Sequence, residues 1–267
     1  MATENDFYRL QEQLKAGDAA LAAGDFTNRL PGLLEVLGHP DAKFRDNLGW
    51  STLSKYFRSA YCPAAVRSKI LDLLLSNEFL FYKICDGETV DSVKRSFSIL
   101  TIADILGGDL KYGALIESSR LRLVAYELCR YLDLEKDWRG HSEAIGWIHA
   151  LAHSGDAFWA LASHPSLEQN ERVHCLTKLL SHIEKRGQNV FQWQEDYRLA
   201  RALSVLLERI PEDFARNLIE QKYESSLLFR MPAIQNILTT FRCVYLEMHW
   251  SGSKRIDLME SLKKIIY

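Results

Sequence analysis

The chain has 267 residues, with 33 Lys and Arg against 35 Asp and Glu and a hydrophobic fraction of 47%. That fraction is ample for a packed core and excludes the disordered class. A formal net charge of -2 gives no global attraction to nucleic acid or to anionic lipid.

Taken in chain order, the sequence reads as a succession of amphipathic helices. ENDFYRLQEQLKAG places Phe7, Leu10 and Leu14 at helical spacing and stops at Gly17. RLPGLLEVLGH is a short helix ending at Gly38. Asp41 can cap FRDNLGWSTLSKYFRSA. Pro63 starts AAVRSKILDLLLSNEFLF, and the apolar run FLFYKI is taken as its continuation up to the break at Gly87. DSVKRSFSILTIADILGGD is capped by Asp91 and closed by Gly107 and Gly108. ALIESSRLRLVAYELCRYLDLEKD, GWIHALAHSGDAFWALASHP and SLEQNERVHCLTKLLSHIEKRG follow. EDYRLARALSVLLERI, EDFARNLIEQKYESS, PAIQNILTTFRCVYLEMHW and SKRIDLMESLKKIIY complete the chain. No strand pair or hairpin turn is signalled. Roughly a dozen helices joined by short turns predict an all-α protein. The expected arrangement is a HEAT-like α-solenoid of stacked antiparallel helix pairs, with a compact irregular helical domain as the alternative. No Gly/Pro/Ser linker divides the chain, so residues 1–267 read as one domain.

The N-terminal MATENDFYRLQEQL lacks the apolar core of a signal peptide, and no run reaches the length of a membrane span. Cys62, Cys85, Cys129, Cys175 and Cys243 are scattered and form no CxxC pair. Buried thiols in a reducing cytoplasm are expected rather than a disulfide framework or a Cys-rich zinc site. Leu227, Leu228 and Phe229 fit either a core or an interface.

The segment GWIHALAHSGDAFWALASHP concentrates the chemistry. Read as one helix, it sets His149, His153 and Asp156 within about 60° of one another. Ser142, Gly146 and Ala160 are the small residues of that sector, while Trp147, Leu151 and Phe158 point the other way. A His pair at i, i+4 with a nearby carboxylate can hold a divalent metal. The same three residues can instead act as acid, base and orienting carboxylate. The glutamate of the HExxH pattern is absent, since Ala150 follows His149. Two histidines satisfied by neighbouring helices are the plain structural reading.

Other charged groups cluster at predicted helix starts. Glu135, Asp137, Arg139 and Gly140 precede the histidine segment, and an arginine there can grip a carboxylate or phosphate bidentately. Arg45 and Asp46 precede one apolar helix, and Glu195, Asp196 and Arg198 precede another. Arg95, Ser96 and Ser98 lie in RSFSIL. Arg139, Trp147, Arg95, Ser98, Arg45, Asp46, Glu195, Asp196 and Arg198 are therefore the candidate ligand contacts. Intra-repeat ion pairs would explain the same residues without a ligand. There is no GxGxxG, no phosphate-binding GxxxxGK[ST] loop and no GxSxG elbow.

RDNLGWSTLSKYF, RSFSIL, DWRGHSEAIGWIHALAHSGD, EDYRLARAL and FRCVYLEMHW together resemble domain-of-unknown-function family 2785, a group of bacterial helical proteins. The resemblance runs from Arg45 to Trp250, and GWIHALAHSGD is its most specific block. It implies a helical fold, a bacterial source and a recurring motif containing Trp147, His149, His153 and Asp156. It implies no activity.

Three functions fit these features. The first is a helical-repeat binding protein whose polar cleft takes a small anionic ligand or a peptide. The second is a hydrolase built on His149, His153 and Asp156, with or without a divalent metal. The third is a protein- or nucleic-acid-binding scaffold, with nucleic acid disfavoured by the balanced charge. The sequence leaves the oligomeric state open.

Overall fold

The computed structural model describes residues 8, 9, 12, 26–185, 189–228 and 231–267. Phe7, Leu10, Leu14 and Gly17 of the first predicted helix lie outside the described residues, as does Phe229. The described residues form eleven α-helices, one π-helix and one two-stranded hairpin, so the protein is all-α. None of these helices is long and apolar enough to cross a membrane.

The chain divides into two compact units, Met1–Ile116 with Leu134–Ala150, and Glu117–Asp133 with Leu151–Tyr267. The first unit holds α1 (Phe26–Val36), a π-helix (Lys43–Trp50), α2 (Ser51–Phe57), α3 (Ala64–Leu74) and α4 (Ser92–Lys111). Asp41 precedes the π-helix and accepts the Lys43 amide at 2.8 Å, while the N-cap position itself is Ala42. α4 is the central helix: Phe97, Ile99, Leu100, Ile102, Ala103, Ile105 and Leu106 are all buried, and α2 and α3 pack on it. A helix apolar on all sides belongs in a core.

Three sequence expectations fail here. α3 ends at Leu74, and residues 76–86 form successive turns, with Lys83 at φ 46°. Phe79, Leu80 and Phe81 in that run are buried as core anchors without helix. Gly107 and Gly108 do not stop α4, which runs through them to Lys111. A Cβ on Gly108 would stand 1.9 Å from the Phe57 carbonyl oxygen, so the glycine is there for close approach to α2. The segment read as the start of the histidine helix is instead a hairpin, β1 (His141–Ser142) against β2 (Gly146–Trp147). Its three-residue loop, 143–145, leads into Gly146 at φ 75°, a left-handed conformation that glycine takes readily.

The second unit holds α5 (Ser118–Leu134), α6 (Ala150–Ser163), α7 (Gln169–Lys185) and α8 (Glu195–Glu208). It continues with α9 (Glu212–Ser226), α10 (Met231–Trp250) and α11 (Ile256–Ile266). α7 packs on α9, α8 on α10 and α9 on α11, and neighbours in sequence pack too, α7 on α8 and α10 on α11. Each of these helices buries an apolar stripe. In α8 that stripe is Leu199, Leu203, Leu206 and Leu207.

One local device occurs in both units. Arg67 of α3 donates to the Phe57 and Ser59 carbonyls at the end of α2, at 3.1 and 2.7 Å. Arg172 of α7 donates to the Ala162 and His164 carbonyls at the end of α6, at 2.5 and 2.8 Å. The spacings are ten and eight residues in both cases. The turns match as well: Ser59 Oγ accepts the Tyr61 amide, and His164 Nδ1 accepts the Ser166 amide. A guanidinium at a helix C-terminus satisfies orphan carbonyls and complements the negative end of the dipole. Burial pulls Arg172 down to about 10, with the Arg209 charge acting in the same direction.

Candidate anion-binding site

Most of the charged residues singled out in the sequence serve the fold. Arg45 is fully buried and uses five N–H groups within the first unit. It donates to Asp46 Oδ1 at 2.8 Å, to the His39 and Pro40 carbonyls at 3.1 and 3.2 Å, and to the Ile145 and Trp147 carbonyls at 2.8 and 3.3 Å. The last two bonds pin the hairpin, which explains strands where local periodicity reads helix. Burial holds the Arg45 guanidinium below its ordinary value against the opposing pull of Asp46. Burial also raises the Asp46 carboxyl, while Arg45 acts in the opposite sense.

Arg95 is equally buried. It forms a two-pronged pair with Glu135 at 2.6 and 2.7 Å, and donates to the Tyr82 and Lys83 carbonyls and to Ser92 Oγ. Ser96 Oγ donates to the Ile148 carbonyl. Ser98 Oγ returns to the Lys94 carbonyl at 2.6 Å. Arg139 pairs with Asp137 through Nε at 2.8 Å and Nη2 at 2.5 Å. Glu195 is buried and accepts the Trp193 amide at 2.7 Å, while Asp196 accepts the Tyr197 amide. These residues clamp helix starts and the 134–150 segment. Those among them expected to face a ligand are held by neighbouring protein groups instead.

The histidine helix is likewise corrected. α6 begins at Ala150, so His149 precedes it, in the left-handed region at φ 52°. His149 stacks on Trp147 with ring centroids 4.4 Å apart, and His141 meets the same indole edge-on at 4.8 Å. Trp147, expected to join Leu151 and Phe158 in the core, is 40% exposed. His153 is buried on α6, three residues before Asp156. His149 therefore stands outside the helical register that His153 and Asp156 share on α6. Among the described residues no group of three or more His, Cys, Asp or Glu side chains is placed to hold a metal ion.

Asp156 and Arg198 do come together, wholly within the second unit. Gly155 allows it: a Cβ there would lie 2.7 Å from the Arg198 carbonyl carbon, so α6 and α8 touch backbone to backbone at this point. The next residue, Asp156, accepts a bond from Arg198 Nη1 through Oδ2 at 2.5 Å. Its Oδ1 stands 3.6 Å from Arg201 Nη1, beyond hydrogen-bond length. The Arg201 guanidinium lies over the Trp159 ring, 4.1 Å from its centroid. Asp156 and Trp159 are three residues apart on α6, as are Arg198 and Arg201 on α8. All four sit at the margin of their apolar stripes, which leaves them half-buried.

Among the described residues the Arg198 guanidinium makes this single hydrogen bond and that of Arg201 makes none. Two guanidiniums thus converge on one carboxylate with most of their forked donors unused. Such a fork binds a planar or tetrahedral oxyanion through paired N–H groups. Sequence reasoning marked Asp156 and Arg198 but not their pairing, and missed Arg201 and Trp159. The matching i, i+3 spacings in GDAFW and YRLAR were the available signal.

A second Trp–Arg–Asp cluster lies in the first unit. Asp104 of α4 is buried and accepts Trp50 Nε1 at 2.9 Å and Arg58 Nε at 2.5 Å. Burial raises the Asp104 carboxyl, and the opposing pull of Arg58, half in solvent, is smaller. Unlike the pair in the second unit, this cluster buries its carboxylate. The shallow depression lined by Tyr8, Lys43, Phe44, Asn47, Leu48 and Ser51 contains none of the predicted site residues.

Fold and site define an all-α protein with an arginine pair set around a single carboxylate. The sequence model of one family matches residues 80–243, more than half of the chain. The chain belongs to that family, described as protein of unknown function (DUF2785). No curated protein and no solved structure matches it.

Proposed function

We propose that the chain is a helical-repeat binding protein that holds a small anionic ligand on Arg198 and Arg201. The carrying observation is the contrast among arginines. Arg45 and Arg95 use their donors on protein acceptors, whereas Arg198 and Arg201 are half-buried with most donors unused. Stacking on Trp159 holds the Arg201 plane in place before a ligand arrives, which lowers the entropy lost on binding. The repeat assignment is supported by the next-but-one packing in the second unit and by the matched Arg67 and Arg172 devices. A hydrolytic reading would need His149 and His153 to act together. His149 precedes the helix that carries His153 and stacks on Trp147.

Titration of the full chain with acetate, sulfate and inorganic phosphate, followed by calorimetry, tests the proposal. Arg198→Met and Arg201→Met should each weaken the best-bound anion by about tenfold or more, the worth of one charge-assisted hydrogen bond. Their unfolding midpoints should stay close to wild type. Binding that is unaffected by both substitutions would sink the proposal.

A further inference from the structure

We infer that Cys129 and Cys175 are a redox pair, two thiols that a peroxide joins as a disulfide tying α5 to α7 in the folded protein. The argument begins with helix faces within the second unit. Ser118 Oγ donates to Glu168 Oε1 at 2.7 Å, at the starts of the two helices. Further along, Arg122 Nε donates to Glu171 Oε1 at 2.9 Å and Lys178 Nζ to Asp133 Oδ2 at 2.7 Å. The partners rise together in number, so α5 and α7 run side by side in the same direction. Arg122, Cys129 and Asp133 follow one another at steps of seven and four residues, and Glu171, Cys175 and Lys178 at steps of four and three. Each set shares one helix face. The two ion pairs therefore bring the cysteines between them face to face. The Cys129 and Cys175 thiols are in hydrogen-bond contact, and both are buried.

The surroundings set the order of events. Contact with Cys129 and burial push the Cys175 thiol well above its ordinary value, and the Glu171 charge acts in the same direction. The resting pair is therefore two thiols. Burial slows the first oxidation, because the thiolate is the form that attacks peroxide. Contact speeds the second, because the partner sulfur is already in place. In the first step one sulfur of the pair attacks a peroxide oxygen and the O–O bond breaks. A sulfenic acid forms, and the departing hydroxide takes the thiol proton and leaves as water. In the second step the other sulfur attacks the sulfenic sulfur, the S–O bond breaks and the oxygen leaves as a second water. Two thiols and one hydrogen peroxide give one disulfide and two waters, with two electrons passing from sulfur to the peroxide oxygens. The new bond closes residues 130–174 into a loop, which removes conformations from the unfolded chain.

The test treats the folded full chain with hydrogen peroxide, alkylates the remaining thiols and reads the peptides by mass spectrometry. The expected product is a linked Cys129–Cys175 peptide, lighter than its parts by two hydrogens and released by dithiothreitol. The oxidised protein should melt higher by about 5 °C or more. Cys175→Ala treated alike should show no such rise. The exposed Cys85 reports that the oxidant has acted. Cys85 oxidised while Cys129 and Cys175 are both still alkylated would overturn the inference. A link that forms in concentrated urea as readily as in the folded chain would overturn it too, since contact within the fold would then not be its source. An equal rise in melting temperature in Cys175→Ala would do the same.

Discussion

At the scale of single residues, the arginines divide by what surrounds them, and that division predicts unequal costs. Arg95 and Glu135 are both buried and joined by two short bonds. Arg95→Met leaves the Glu135 charge buried without its cation, held by the Lys136 and Asp137 amides, and should lower unfolding stability by about 3 kcal/mol in urea titrations. Arg198→Met removes a pair that is partly in solvent, 28% and 17% exposed on its two sides. Screening reduces such a pair to about 1 kcal/mol or less. If both variants lost the same stability, the distinction between core clamp and ligand contact would fall. Asp104 gives a pH-dependent counterpart. Its carboxyl is raised by burial, so the fold favours the protonated form. That contribution is complete below the ordinary value of 3.8 and is lost as pH rises through the raised one. Stability measured against Asp104→Asn should therefore move in favour of wild type as pH falls from neutral towards 4. A difference that stays flat over that range would show that the Arg58 and Trp50 contacts cancel the desolvation.

At the scale of elements, two glycines fix how helices cross. In an exposed helix Gly→Ala gains about 1 kcal/mol from backbone entropy. Gly155→Ala should instead destabilise by about 1–3 kcal/mol, because the new methyl meets the α8 backbone at 2.7 Å. The same substitution should weaken anion binding, since Asp156 is the next residue and moves with α6. Unchanged stability and affinity in Gly155→Ala would mean that the crossing has slack. These crossings also mark the limit of what the sequence discloses. Eleven of the predicted helices have counterparts among the described residues, mostly because their apolar residues follow the 3.6 period, as Leu199, Leu203 and Leu206 do. The errors fall where a distant group overrides the local pattern. The hairpin at 141–147 exists because Arg45, about a hundred residues earlier, holds the Ile145 and Trp147 carbonyls. Gly107 and Gly108 look like a stop, and only the approach of the Phe57 carbonyl explains why α4 runs on. At the site, Asp156 and Arg198 were visible as charges at helix positions. Their meeting was not, because it depends on where α6 and α8 touch.

At the scale of the whole molecule, the recurrence of one capping device in both units has a consequence for stability. Arg67 and Arg172 occupy the same place in helix–turn–helix segments of the same length, and each closes two carbonyls of the preceding helix. The burial that follows each arginine is also parallel: Ile70, Leu71 and Leu74 after Arg67, then Cys175, Leu176 and Leu179 after Arg172. A device set by local geometry should carry a similar energy wherever it recurs. Each charge-assisted bond contributes about 1.5–3 kcal/mol when its acceptor is otherwise buried, so Arg67→Met and Arg172→Met should each cost about 3 kcal/mol. The two arginines share no acceptor, and the double variant should lose the sum of the single losses to within about 0.5 kcal/mol. Arg172 has one neighbour that Arg67 lacks: Arg209, which donates to the intervening Ser163 carbonyl at 3.1 Å and helps lower the Arg172 guanidinium. Relief of that repulsion should make Arg172→Met the milder of the two, and Arg209→Met should narrow the gap by removing the same repulsion from the wild-type side. Urea titration of the four proteins and the double variant decides this. A large loss for one arginine and none for the other would mean that the two segments resemble each other in outline without sharing what holds them.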